Sequence, residues 1–125
     1  MVRGVRGATT ADADTREAIL SATHELLRAM IAANNICPDD VASIIFTTTL
    51  DVDAEYPAVA ARELGWRDAA LLCLHEMAVP HSLPMCIRVL IHWNTSIRAD
   101  EVKHVYLKGA IALRPDRAFV PGRST

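Results

Sequence analysis

Two arginines placed inside apolar segments are the first candidates for chemistry. Arg88 lies within the apolar run 86–91, and Arg6 lies between Val5 and Gly7. A guanidinium in such a run is costly unless it is paired or faces a cavity. Because arginine grips carboxylates through a rigid two-pronged fork, the pattern indicates a site for a small carboxylated molecule.

Two further polar residues extend this candidate site. Glu76 ends the apolar run 71–75, and Tyr106 lies within Val105-Tyr106-Leu107. Glycines at 4 and 7 would let a ligand approach the backbone beside Arg6. The competing interpretation is structural: Arg6 or Arg88 forms a salt bridge, at a sheet edge or between subunits, with Glu76 as its partner. The residues alone leave both interpretations open.

Metal and nucleophile chemistry are weaker interpretations. Cys73-x-His75-Glu76, with His81 nearby, resembles a metal cluster superficially. Alternation along a strand would place Cys73 and His75 opposite Glu76, and no second Cys/His pair completes a tetrahedral set. A cysteine in an apolar strand is usually inert. Since the glycine spacing also fits no phosphate-binding or dinucleotide fingerprint, we expect neither a metal nor a cofactor.

The composition fits one globular domain with no nucleic-acid or membrane partner. The chain has 125 residues, 51% of them hydrophobic, and a formal net charge of −2. That balance argues against a general nucleic-acid binder, so any anion must be held by a local positive cluster. The three cysteines cannot all pair, which favours a reducing, cytoplasmic setting. No apolar run has the length of a signal peptide or a membrane span.

The predicted elements that position these residues are five strands and two helices. A long helix follows Asp14, which forms a capping-box-like start with Glu17, and it ends at Asn34-Asn35. A short helix begins at Pro57 and ends near Gly65. Segment 86–95 also suits a helix face, but its β-branched content favours a strand. The predicted strands are residues 2–10, 41–49, 69–75, 86–95 and 102–107.

This order of elements predicts an α+β fold, an α/β sandwich with a mixed five-stranded sheet and its helices on one face. Residues 1–115 would form the single domain, and residues 116–125 a weakly tethered C-terminal tail. One long and one short helix leave sheet surface to be covered. We therefore expect a homo-oligomer.

Several sequence blocks, in this order, resemble one enzyme family. They are Val5-Arg6-Gly7-Ala8-Thr9-Thr10, Cys73-Leu74-His75-Glu76-Met77, Cys86-Ile87-Arg88-Val89, His104-Val105-Tyr106-Leu107 and Ala112-Leu113-Arg114-Pro115-Asp116. Ala61-Arg62-Glu63-Leu64 adds a further match. Together these blocks resemble the small monofunctional chorismate mutases of the AroH class, across nearly the whole chain.

The resemblance implies a homotrimer whose sheets form a pseudo-α/β barrel, with active sites between adjacent subunits. It implies conversion of chorismate to prephenate by a concerted Claisen rearrangement, with no cofactor. By this similarity Arg88 lies at the ether oxygen of the breaking bond, Arg6 and Tyr106 hold a carboxylate, and Glu76 accepts a hydrogen bond from the ring hydroxyl. The other pocket residues implied are Cys73, Arg62, Tyr56, Ala58, Leu72 and Leu113.

Two positions depart from the family pattern. Val59 stands where relatives can carry lysine, and Leu72 is apolar where a polar residue can occur. Both lie at the expected periphery, so they bear on affinity and steering more than on chemistry. The alternative to an enzyme is a non-catalytic trimeric module that binds a small dicarboxylate. The presence of all four polar residues, Arg6, Glu76, Arg88 and Tyr106, favours the enzyme.

Overall fold

A computed structural model of the chain describes residues 1–113. It contains five strands: β1 (Val2–Thr10), β2 (Val41–Thr48), β3 (Ala70–His75), β4 (Cys86–Asn94) and β5 (Val105–Tyr106). The helices are α1 (Arg16–Asn34) and α2 (Ala58–Glu63), with 3-10 turns at Pro38–Asp40, Ala99–Glu101 and Lys108–Leu113. The proposed tail, 116–125, lies outside the described residues, so its tethering stays a prediction.

The strands form one mixed sheet in the order β3-β2-β4-β1-β5. β4 runs antiparallel to both β1 and β2, whereas β3 pairs parallel to β2 and β5 parallel to β1. This confirms the predicted fold class and settles segment 86–95 as a strand. Both helices pack on one face of the sheet, which we call the covered face. The opposite face we call the open face.

The covered face carries the main core because apolar residues alternate along each strand. Val5, Phe46, Val89 and Ile91 are buried against Met30 and its helical neighbours in α1. Gly7 belongs to this face: a Cβ there would lie 2.3 Å from Met30 Sδ. On this face the helix occupies the space beside Gly7, whereas on the open face Gly7 is among the residues that line a cavity, so the approach of a ligand to its backbone from that face stays a prediction. A Cβ on Gly4 would meet only Leu90 at 3.5 Å, so no close approach requires glycine there.

Helix boundaries largely follow the sequence signals, with one correction. Asn35 adopts the left-handed conformation at the end of α1, as predicted (φ 55°). The predicted Asp14 cap was wrong: Thr15 is the N-cap, and its hydroxyl accepts the Ala18 N–H at 3.2 Å. Gly65, with φ of 91°, follows α2 as expected.

The last strand is much shorter than the predicted 102–107. Only Val105 and Tyr106 pair with β1. The backbone N–H of Arg6, one residue before that pairing, instead donates to Nδ1 of His104 at 3.0 Å. A side chain thus takes the place of a strand carbonyl, and strand periodicity could not anticipate that exchange.

Candidate active site

A cavity of about 340 Å³ opens on the open face of the sheet. Its lining includes Arg6, Arg88, Tyr106 and Leu113, which were four of the predicted site residues. They come from β1, β4, β5 and the final 3-10 turn, and so from distant parts of the chain. One chain by itself therefore brings these four residues to one cavity.

Strand register explains this convergence. Ala8 of β1 pairs with Arg88 of β4 on one side and with Tyr106 of β5 on the other. Because paired residues point to the same face, the three side chains stand in one row across the sheet. Ala8 is the small member between two large ones, so the row has a gap at its centre. Arg6, two residues along β1, lies on the same face beside that gap.

Arg88 and Glu76 form an ion pair, with Nε of Arg88 3.3 Å from Oε2 of Glu76. Thr47 of β2 donates its hydroxyl to the same Oε2 at 2.7 Å. The structural interpretation of Glu76 as a salt-bridge partner is thus correct for Arg88. It does not exclude a binding role, because a guanidinium has five N–H donors and the Arg88 side chain is 45% exposed.

Thr47 was missed by the sequence analysis. It pairs with Arg88 across the β2–β4 ladder, so it too faces the cavity. The available signal was alternation in Val41–Thr48, which puts Thr47 on the face opposite Phe46. A threonine in a β-branched run is ordinarily interpreted as a strand former, and that masked its polar role.

The remaining predicted residues lie apart from this cavity. Cys73 and Tyr56 line a second cavity, also of about 340 Å³, on the helix side of β3. Arg62 lines a third, beside Trp66. Ala58 is buried in the core, while Leu72 on the sheet-edge strand β3 is 53% exposed. Within one chain, the predicted pocket residues therefore lie on both sides of the sheet.

Neither cysteine near these cavities has the character of an activated nucleophile. Burial raises the pKa of the Cys73 thiol. Burial likewise raises the pKa of Cys86 to about 11. A thiol with a raised pKa is protonated at neutral pH and reacts slowly.

Cys73 and His75 face the covered side and Glu76 reaches Thr47 on the open side, as alternation predicted.

Within residues 1–113, no group of three His, Cys, Asp or Glu side chains is placed to hold a metal ion. Neither described helix combines the length and the apolar character that a membrane span requires. The open cavity offers the fixed positive charge of Arg6 and Arg88 and the phenol of Tyr106, and the Glu76 carboxylate lies beside it, paired with Arg88. That arrangement can bind and orient an anion.

Comparison with known proteins identifies the family to which this architecture belongs. The family model for chorismate mutase type I matches residues 2–117. The chain is 51% identical to "Chorismate mutase AroH" of Thermus thermophilus over 117 residues, 93% of this chain and 96% of that protein. It is 44% identical to "Chorismate mutase AroH" of Bacillus subtilis, over 93% of this chain and 92% of that one.

The comparison of folds indicates the same family as the comparison of sequences. The solved structure of a chorismate mutase from Clostridium thermocellum superposes with a TM-score of 0.86 at 48% identity. The alignment covers 87% of this chain and 97% of that one. With family, sequence and fold in agreement over nearly the whole length, the chain belongs to the type I chorismate mutase family.

Proposed function

We propose that this protein is a chorismate mutase, which rearranges chorismate to prephenate on the route to phenylalanine and tyrosine. The observation that carries the proposal is the row of Arg88, Ala8 and Tyr106 beside Arg6, with a cavity of about 340 Å³ that both arginines line. A unimolecular rearrangement needs no proton transfer. It needs a folded substrate conformer and positive charge where oxygen becomes negative.

Arg88 is assigned to the ether oxygen of the breaking C–O bond. Its Nε is paired with Glu76 at 3.3 Å, so the two terminal NH₂ groups are the donors that we assign to substrate. Electrostatic stabilisation of this kind is realised in the transition state, when the oxygen acquires charge. Loss of one such donor costs about 3–4 kcal/mol, or roughly 10²–10³ in rate.

Glu76 is assigned to the substrate's ring hydroxyl. Its Oε2 is occupied by Thr47 and Arg88, so Oε1 is the oxygen that would accept a hydrogen bond from the hydroxyl. Arg6 and Tyr106 would hold a carboxylate from the other side of the gap, with Leu113 as an apolar wall. For Arg6, Tyr106 and Leu113 these roles are supported by their placement around the cavity that Arg88 also lines, and for Glu76 by its ion pair with Arg88.

The other assigned residues require a second copy of the chain. Tyr56, which is 68% exposed, Arg62 and Ala58 belong to the helix side, away from Arg88. Leu72 and Leu74 on β3 are also about half exposed, at 53% and 49%. We propose a homotrimer in which one copy supplies the arginine row and its neighbour supplies the wall around Tyr56, with Leu72 and Cys73 of β3 at the junction.

This assembly would also change the surroundings of Arg88. In one chain its side chain is 45% exposed, so the low-dielectric setting expected for it is not present there. A neighbouring subunit covering the open cavity would exclude water, and electrostatic interactions strengthen as water is excluded. The odd number of cysteines, all free thiols, supports a reducing cytoplasmic location.

The direct test follows chorismate disappearance by loss of its ring-diene absorbance, with acid conversion of prephenate to phenylpyruvate as a check. Metal chelator is present throughout, and Arg88→Ala runs alongside. We expect turnover in the wild type and its loss in a folded variant. A folded wild-type trimer that binds dicarboxylates without accelerating the reaction would contradict the enzyme and favour a binding module.

The assembly has its own test. We expect a mass three times the 13.7 kDa of one chain by analytical ultracentrifugation. Arg88→Ala and Arg62→Ala, each impaired alone, should regain activity when unfolded and refolded together, because some mixed sites then contain both wild-type residues. Activity that never exceeds the mean of the two separate variants would show that both residues act from one subunit.

A further inference from the structure

The segment that carries Tyr56 lies between β2 and α2 and belongs to neither. Val52, its one deeply buried side chain, is 1% exposed and packs against Ile19 and Ile87. The Val52 carbonyl accepts the Thr48 hydroxyl at 3.2 Å. Beyond Val52, residues 53, 54 and 56 are exposed and Glu55 is half-buried, up to the buried Pro57. Its position there depends on contacts from outside the segment.

Asp14 provides the principal contact. Its Oδ1 accepts the backbone N–H groups of both Asp53 and Ala54, at 2.9 and 3.0 Å. The sequence analysis had assigned Asp14 to the cap of α1, but Thr15 fills that role. Asp14 is thus released from its own helix and holds a segment 39 residues further along the chain.

A second set of contacts also holds this segment to the start of α1. Arg16 Nε lies 3.1 Å from Glu55 Oε2, and Glu55 Oε1 accepts the Tyr56 backbone N–H at 2.8 Å. Asp14, just before α1, and Arg16, in its first turn, therefore hold the segment from Asp53 to Glu55, and Glu55 in turn holds the Tyr56 N–H. Because the Tyr56 ring is 68% exposed, packing within its own chain does little to fix it, and the backbone anchoring decides where the ring lies.

We propose that Asp14 is a positioning residue for substrate binding: by holding the Asp53 and Ala54 amides, it places Tyr56 at the pocket of the neighbouring subunit. This inference rests on the proposed role of Tyr56 as a pocket wall. Asp14 touches no substrate. Loss of its carboxylate leaves two amides without their acceptor and lets the segment move, which weakens substrate binding more than it weakens the chemical step.

The test compares Asp14→Ala and Asp14→Asn in the chorismate assay. Asparagine keeps an Oδ1 acceptor for both amides, so it should stay within twofold of wild type. Alanine should raise KM about five- to tenfold and leave kcat within twofold. Asp39→Ala is the matched control, an exposed aspartate beyond the far end of the 19-residue helix α1. A merely structural role would lower Tm and the active fraction without raising KM.

A double-variant cycle separates this inference from the function it rests on. Tyr56→Ala alone should raise KM, and adding Asp14→Ala should then raise it no further. An equal Asp14 effect with and without Tyr56 would overturn the inference, as would an unchanged KM in Asp14→Ala beside a raised KM in Tyr56→Ala. An unchanged KM in Tyr56→Ala would refute the proposed wall itself, and the inference with it.

Discussion

The two faces of the sheet are built from the same strands but differ in polarity, burial and packing. On the covered face, alternate residues of β1, β2 and β4 are apolar, nearly inaccessible and packed on α1. On the open face, the intervening residues include Arg6, Arg88 and Thr47 around a cavity. These strands thus contribute core residues on one face and candidate binding residues on the other.

This division shows how charge can be kept inside apolar segments. The covered face supplies the hydrophobic stabilisation that fixes strand positions, so the open face need not contribute to the core. Arg88 lies between Ile87 and Val89, which are 0% and 2% exposed. Its neighbours in sequence hold the strand, while its side chain stays available. Substitutions on the two faces should therefore have separable effects, on activity and on stability.

The largest effect is expected at Arg88 on the open face. Arg88→Lys keeps the charge but loses the planar fork that bonds Glu76 and faces the cavity. We expect kcat/KM to fall at least 10²-fold, with little change in the free energy of unfolding. Steady-state kinetics and urea denaturation at one protein concentration measure the two quantities. Near-normal turnover in the folded variant would remove Arg88 from its assigned role.

The covered face should show the reverse behaviour at Gly7. The Cβ of Gly7→Ala would lie 2.3 Å from Met30 Sδ and 3.1 Å from Leu26 Cδ1. Overpacking of this kind costs about 1–3 kcal/mol in unfolding free energy. Gly4→Ala on the open face is the control, because its Cβ would make only an ordinary 3.5 Å contact.

The Gly7 effect can be assigned to this one contact. In Gly7→Ala/Met30→Ala the clash is gone, so the double variant should be less destabilised than the sum of the single variants. Additive losses would mean that Met30 does not limit the space at Gly7.

The covered face was also the more predictable from sequence. Alternation and helical periodicity identify which residues are buried, and they locate β1, β2, β4 and α1 closely. The predicted start of β5 at residue 102 was too early, because the His104 side chain, rather than a strand carbonyl, accepts the Arg6 N–H. Such a substitution of side chain for backbone leaves no periodic signal.

The residues of the candidate site also differ in how well the sequence predicts them. Charge in apolar strands indicated Arg6 and Arg88, and the structure places both at one cavity. Thr47 escaped because its hydroxyl bonds Glu76 only through register between strands distant in sequence. Residues on the helix side, such as Tyr56 and Arg62, carried no signal of their own and were named only through the family resemblance.

A moderate effect is expected at Thr47. Thr47→Val keeps the β-branched shape and removes the hydroxyl that donates to Glu76 Oε2. Arg88 then remains as a partner of that oxygen, so we expect a loss of roughly 1 kcal/mol, or about fivefold in kcat/KM. Ser43→Ala, on the same strand, removes a hydroxyl whose partner is His92 rather than Glu76. Equal losses in both variants would show that the Glu76 contact is not responsible.

The smallest effect is expected in the segment between β2 and α2 that Asp14 holds. The Asp53 and Ala54 amides lower the pKa of Asp14, whereas the hydrogen bond and charge of Asp14 raise the pKa of Asp53. A carboxyl with a raised pKa contributes stability that is fully present below 3.8 and is lost as pH rises through its folded value. Asp14 contributes in the opposite sense, above 3.8.

Asp53→Asn removes one of these two opposed contributions. At pH 7 the amide no longer repels Asp14, so Tm should rise slightly, and KM should stay at the wild-type value because both backbone amides remain held. The gain should vanish as pH falls through the raised pKa of Asp53, where the wild-type carboxyl becomes neutral as well. Thermal melts from pH 7 to pH 3 measure this. A Tm gain that persists unchanged at pH 3, below the ordinary pKa of 3.8 for an aspartate, would mean that charge repulsion between Asp14 and Asp53 is not its cause.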